Sequence, residues 1–198
     1  MVNTGEAKLV LASGSPRRRE LLGEAGYDFV VDAADIDERH EERMELEELT
    51  KWNAVGKARV GAGRWPGAVI LAADTLVAID GVALTKPVDL DEARGMLARL
   101  AGRTHSVVTA VAVVGVGREE CFTVETRVTF LPLSEAEREV YLGLINPLDK
   151  AGGYAAQEHG EKIIARVDGS WSNVVGLPME ETAAALARFG IFPSGRVR

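Results

Sequence analysis

The sequence predicts a mixed α/β fold, on three observations. Continuous apolar runs of strand length, KLVLA at 8–12 and AVILAA at 68–73, are interleaved with segments whose apolar residues recur at helical spacing. β-Branched residues dominate 106–131 on both sides of a turn-like stretch at 115–120. No internal repeat, low-complexity tract or linker interrupts the 198 residues, so a single domain over 1–198 is the economical reading.

The run 8–12 is ended by SGSP and reads as a buried strand feeding a helix from Pro16 to about residue 25, with Leu21, Leu22 and Ala25 on its buried face. Residues 29–31 form a second short strand. The acidic segment 35–48 is by default a solvated face, and it leads into a helix over roughly 45–62, where Leu46, Leu49, Val55 and Ala58 fall near helical spacing. AVILAA is followed by Asp74-Thr75, the strand-like LVAI and the hairpin pair Asp80-Gly81. A helix over 89–100 buries Ala93, Met96, Leu97 and Leu100 and stops at Gly102. Residues 106–131 form a long hairpin, and a helix over 134–144 starts with the capping box SEAE. Residues 154–175 read as strands and turns, and 179–189 as a final helix.

Composition narrows the function. A net charge of −7 argues against broad nucleic-acid binding, which needs a face with excess lysine and arginine. No apolar run approaches ~18 residues, and the N-terminus has neither a signal-peptide pattern nor a small-residue cleavage site, so no membrane role and a cytoplasmic location are expected. The single cysteine, Cys121, fits a reducing compartment and reads as an ordinary strand residue.

Against that acidic background, Arg17, Arg18 and Arg19 place three cations at a helix N-terminus, where the dipole is already positive. An anion would make the arrangement tolerable. Ser13, Gly14 and Ser15 precede it, and small residues before a helix N-terminus aim N–H groups and hydroxyls at one point. The loop is either a phosphate cradle or a capped surface helix. It is not a P-loop, because GxxxxGK[ST] is absent. Asp74 follows a buried strand directly, and a carboxylate at a strand end must pair, hold a metal, act in catalysis or cap the next turn. Lys57, in GKAR, and Lys86, held extended by Pro87, could converge on it, although either alone reads as a surface residue. His40, His105 and His159 lack metal-ligand spacing, no Ser/His/Asp elbow occurs, and Gly115-Val116-Gly117 lacks the third glycine of a dinucleotide fingerprint. Asp35-Ile36-Asp37 has the form of a phosphatase aspartate pair but follows no apolar strand.

Together, SGSPRR at 13–18, AADT at 72–75, TKP at 85–87, DKAGGYAAQ at 149–157 and GSWSNVVGLP at 169–178 resemble, in order and over nearly the whole chain, the Maf family of nucleoside triphosphate pyrophosphatases. The resemblance implies a two-lobed α/β fold, with an elongated mixed β-sheet flanked by helices and a cleft between the lobes. AGGYAAQ is similar to the branch acting on dTTP and UTP. The family's specificity positions fall on Arg17, Thr75 and Gln157, and its proton acceptor on Asp74. Glu38 matches the acidic position associated with the metal, where Asp74 would join it as a ligand, and Lys57 and Lys86 match phosphate-contacting lysines. Ser13, Ser15 and Arg18 would complete the substrate-binding set. Glu158 stands where the family usually has glycine.

The same resemblance implies hydrolysis of dTTP, UTP or modified pyrimidine nucleotides to monophosphate and pyrophosphate, with Mg²⁺ or Mn²⁺ as cofactor. A homodimer and a role in nucleotide-pool cleansing or division arrest are compatible with it. A non-catalytic nucleotide-binding regulator of septum formation, and a phosphatase using Asp35 or Asp37, are the alternatives.

Overall fold

The computed structural model describes residues 8–37 and 45–195. The chain forms two compact units, one made of the described residues up to Asp74, Thr109–Thr123 and those from Gly176 onward, the other of Thr75–Val108 and Val124–Val175. Among the described residues seven strands make a mixed sheet: β1 (Leu9–Leu11), β2 (Val30–Val31), β3 (Val69–Ile79), β4 (Val82–Leu84), β5 (Thr104–Gly115), β6 (Arg118–Phe130) and β7 (Ile164–Asp168). Their order is β2-β1-β3-β5-β6-β7, with β4 paired to β3. β1 pairs in parallel with β2 and β3, whereas β3 with β4 and β6 with β7 are antiparallel.

In the first unit, the two-residue period of a strand sorts side chains onto opposite faces. Leu9 and Leu11 of β1, Leu71 and Ala73 of β3 and Val111 and Val113 of β5 join one core with Leu22 of α1 (Pro16–Glu24) and Ala185 and Leu186 of α6 (Met179–Arg188). Val10, Ala12, Ile70, Ala72, Ala110 and Ala112 face the other way, onto Ala54 and Ala58 of α2 (Leu46–Arg64). Strands covered on both faces read as unbroken apolar runs, which is why AVILAA does. Small residues bring α2 close to the sheet. A Cβ at Gly61 would lie 2.7 Å from Ile70 Cγ2, so a larger residue there would push helix and strand apart.

The second unit has its own core. Ala93, Met96, Leu97 and Leu100 of α3 (Leu90–Leu100) pack with Val77 and Ile79 of β3, Val107 of β5, Phe130 of β6 and Tyr141 of α4 (Glu135–Leu142). Asp89 caps α3 by accepting from the Glu92 N–H at 2.8 Å, an interaction worth about 1 kcal/mol. α4 begins with the expected box, in which Ser134 Oγ accepts from Glu137 N–H and Glu137 Oε2 accepts from Ser134 N–H. Asp80 and Gly81 have φ of 55° and 75°, the pair of positive values that a tight β3–β4 hairpin requires.

Three expectations change. β3 does not end at Asp74 but runs on to Ile79, so Asp74 is an interior strand residue. Residues 154–175 contain, besides β7 and a 3₁₀ turn, a helix α5 (Trp171–Val175). It is pinned by Asn173, whose Nδ2 donates to the Val107 carbonyl and to Thr126 Oγ1, both at 3.0 Å. Ala25 is exposed and Arg18 takes its place on the buried face of α1. No helix among the described residues is long and apolar enough to cross a membrane.

His105 of β5 is buried, its Nε2 is 2.9 Å from the Tyr154 hydroxyl, and desolvation pushes its pKa from 6.5 down to about 4. Between these values the unfolded chain binds the extra proton, so stability is full above the unfolded pKa and falls as pH drops toward the folded one. The contribution is about 3 kcal/mol. Urea unfolding at pH 7 and pH 4.5 should therefore show a steeper pH loss in the parent than in His105→Gln. Equal losses would contradict the assignment.

Candidate active site

The alternation that packs β3 also aims Asp74. Ile70 and Ala72 face α2, and Asp74 is next in that parity, so its carboxylate leaves the strand on the α2 side. It is 7% exposed. A carboxylate so placed needs hydrogen-bonded partners or its desolvation is costly.

α2 supplies them. Lys57 Nζ donates to Asp74 Oδ1 at 2.8 Å and Asn53 Nδ2 donates to Oδ2 at 3.2 Å. Residues four apart share a helix face, so one turn of α2 delivers an amide and an ammonium to the two oxygens of one carboxylate. Lys57 is itself only 8% exposed, which makes this a buried ion pair. Asn53 is absent from the sequence-predicted set. Its one signal in the sequence is the i, i+4 spacing from Lys57. Each carboxylate oxygen carries two lone pairs and uses one here, which leaves acceptor capacity for a water molecule or a cation.

α1 contributes from the opposite face of the sheet. Ser15 is its N-cap residue and Pro16 opens the first turn, but no side-chain cap forms and the first turn holds no acid. Ser13 Oγ accepts from the Ser15 N–H at 3.3 Å. The second arginine turns inward: Arg18 Nε donates to the Gly176 carbonyl at 2.8 Å, and Nη1 to the Ala73 carbonyl at 2.8 Å and Ser13 Oγ at 3.1 Å. Arg18 thus grips the peptide that immediately precedes Asp74. Backbone carbonyls satisfy its hydrogen bonds without themselves carrying a full countercharge. Arg17 is half-buried and Arg19 exposed.

Ser13, Arg18, Lys57 and Asp74 are therefore brought together within the first unit, with Asn53 added. Ser15 and Arg17 lie at the start of α1 in the same unit. Thr75, Lys86 and Gln157 belong to the second unit. Thr75 follows Asp74 in β3 and is half-buried, while Lys86 and Gln157 are exposed. In that unit the Gly152 N–H donates to the Thr85 carbonyl at 3.1 Å, which ties the segment before Lys86 to the one before Gln157. Glu38 lies outside the described residues. Asp35 and Asp37 are exposed in an irregular segment.

A divalent cation fits the donor chemistry of Asp74. Among the described residues no cluster of three or more His, Cys, Asp or Glu forms a cage. One carboxylate with spare lone pairs suits instead a hard ion that keeps its waters and takes further oxygens from substrate phosphates, as Mg²⁺ does.

Comparison with known proteins places the chain. The family described as Maf-like protein matches residues 8–189. The dTTP/UTP pyrophosphatase of Myxococcus xanthus (strain DK1622) is 51% identical over 190 residues, covering 96% of each chain. That of Anaeromyxobacter dehalogenans (strain 2CP-C) is 47% identical over 94% of this chain and 95% of its own. The protein of the same name from Symbiobacterium thermophilum is 44% identical over 95% of this chain and 98% of its own. With the family match spanning residues 8–189 and with similarity extending over nearly its whole length, the chain belongs to the Maf-like protein family.

Proposed function

We propose that this protein hydrolyses nucleoside triphosphates, dTTP and UTP foremost, to the monophosphate and pyrophosphate by attack of water on the α-phosphorus. The observation that carries this reading is Asp74: a buried carboxylate, fixed at both oxygens, with a lone pair left on each. A carboxylate so held can orient a water molecule and take its proton as the oxygen bonds to phosphorus. Lys57 and Asn53 set the plane of the carboxylate, and Arg18 sets the height of the backbone from which it springs. The same purpose explains polar residues on the core face of a helix.

A triphosphate carries about four negative charges, and a protein of net charge −7 must neutralise them locally. Arg17, Arg18, Lys57 and Lys86 take that task, with the hydroxyls of Ser13 and Ser15 as hydrogen-bond donors. Asp74, with Glu38, would hold a divalent cation, Mg²⁺ or Mn²⁺, which when bound supplies charge neutralisation at the phosphates. Gln157 and Thr75 read the base, together with Arg17. Gln157 is exposed in the free protein, so the selection arises when a bound base covers its amide. A wrong base that then leaves the amide unpaired costs ~1–3 kcal/mol, enough to favour one base without forbidding others.

Product identity tests the reaction. With dTTP and Mg²⁺, ³¹P NMR should show pyrophosphate and thymidine monophosphate; orthophosphate with thymidine diphosphate would place the attack elsewhere. For the base reader, Gln157→Ala should change the ratio of kcat/KM between UTP and CTP by about tenfold while inhibition by inorganic pyrophosphate stays near the parental value. An unchanged substrate profile would remove Gln157 from base recognition.

A further inference from the structure

Residues 152–156 are buried without a break, and Gln157 is the first exposed side chain after them. The backbone behind Gln157 is held by one phenol. Tyr141 of α4, 1% exposed, donates its hydroxyl hydrogen to the Ala155 carbonyl at 3.0 Å, and its oxygen accepts from the Ala155 N–H at 3.0 Å. Both main-chain polar groups of a buried residue two positions before Gln157 thus depend on a single side-chain atom. Burial raises the Tyr141 pKa above the ordinary tyrosine value, so the hydroxyl keeps the proton it donates.

The neighbouring residue is fixed as well. The Tyr154 hydroxyl lies 2.9 Å from His105 Nε2, and its ring meets Phe130 edge-on at 4.9 Å. At the far end of the segment Lys150 Nζ, buried, donates to the Asn146 carbonyl and Asp149 Oδ1, both at 2.9 Å, and pairs with Glu158 Oε1 at 3.5 Å. The side chain after Gln157 is therefore tied back to the residue that opens the segment.

We propose that Tyr141, seconded by Tyr154, is a positioning residue for base recognition: by bonding both main-chain groups of Ala155 it fixes the point at which Gln157 leaves the core. The inference rests on the reading of Gln157 as the base reader. Discrimination by an amide requires that a mismatched base leave it unpaired; a side chain whose backbone can shift finds another partner, and the penalty shrinks. Preorganisation of Gln157 is thus what Tyr141 contributes, without itself touching the substrate.

Tyr141→Phe keeps the ring and deletes the oxygen. The UTP-to-CTP ratio of kcat/KM should fall about fivefold to tenfold, with pyrophosphate still the product. A merely structural tyrosine would lower the melting temperature and leave that ratio at its parental value, and this result would overturn the proposal. Gln157→Ala measured in parallel separates the two readings: if it shifts the ratio and Tyr141→Phe does not, only the positioning role fails. If Gln157→Ala leaves the ratio unchanged, there is no base reader to position, and both fail. Should Tyr141→Phe not fold, Tyr154→Phe must lower the same ratio, and a parental ratio there counts equally against the proposal.

Discussion

Asp74→Asn is expected to lower kcat for dTTP by about 10²- to 10⁴-fold, the range associated with losing a positioned general base. The amide is nearly isosteric. Its oxygen can still accept from Lys57, and a flip of the Asn53 amide lets the new NH₂ group donate to Asn53. The geometry therefore survives, while the group that takes the proton is gone. Breaking a buried ion pair by removing one partner costs about 3–5 kcal/mol, and here less, because Lys57 keeps a hydrogen-bond acceptor. Binding of a non-hydrolysable triphosphate should persist, since the lost charge repels phosphate. Parental turnover by Asp74→Asn would remove Asp74 from the chemistry, and loss of nucleotide binding would recast it as part of the substrate cradle.

The second large effect is on stability. Arg18 joins three separate segments through the carbonyls of Ala73 and Gly176 and the hydroxyl of Ser13. Arg18→Ala strands two buried carbonyls and removes a large side chain from the buried face of α1, at a cost of about 3–5 kcal/mol. For a chain of this size that corresponds to a fall in melting temperature on the order of 10 °C. Arg18→Lys keeps the charge but replaces a planar fork by a single ammonium that cannot serve acceptors lying in different directions, so it should recover less than half of the loss. Unaltered melting of Arg18→Ala would mean that these bonds contribute nothing net.

Elements governed by local rules were legible in the sequence. The buried face of α3, the capping box at Ser134 and the Asp80-Gly81 turn each depend on residues within a few positions of one another, and each formed where its pattern stood. The face of α2 was harder. Its apolar spacing pointed to Leu46, Leu49, Val55 and Ala58, but Leu46 and Val55 are only half-buried, whereas Asn53 and Lys57 are buried. Two polar residues on a core face become intelligible only through a partner 17 to 21 residues away in sequence. Arg18 obeys the same logic, since its acceptors lie as far as 158 residues along the chain. α5 was hidden because five residues carry too little periodicity, and its anchors, Thr126 and Val107, are 47 and 66 positions distant.

The same distinction holds in the candidate site. Asp74, Lys57, Arg18 and Ser13 were named from sequence, but the pairing of Asp74 with Lys57 and with the unnamed Asn53 comes from the strand parity of β3 and the helical spacing of α2, two periodicities that meet only in three dimensions.

One isotope experiment bears most directly on the reaction proposed for this site, attack of water on the α-phosphorus. Hydrolysis of dTTP in H₂¹⁸O should place a single ¹⁸O in the thymidine monophosphate and none in the pyrophosphate, because the primed water bonds to the α-phosphorus. Label found in pyrophosphate or in orthophosphate would show attack at the β- or γ-phosphorus and would contradict the account.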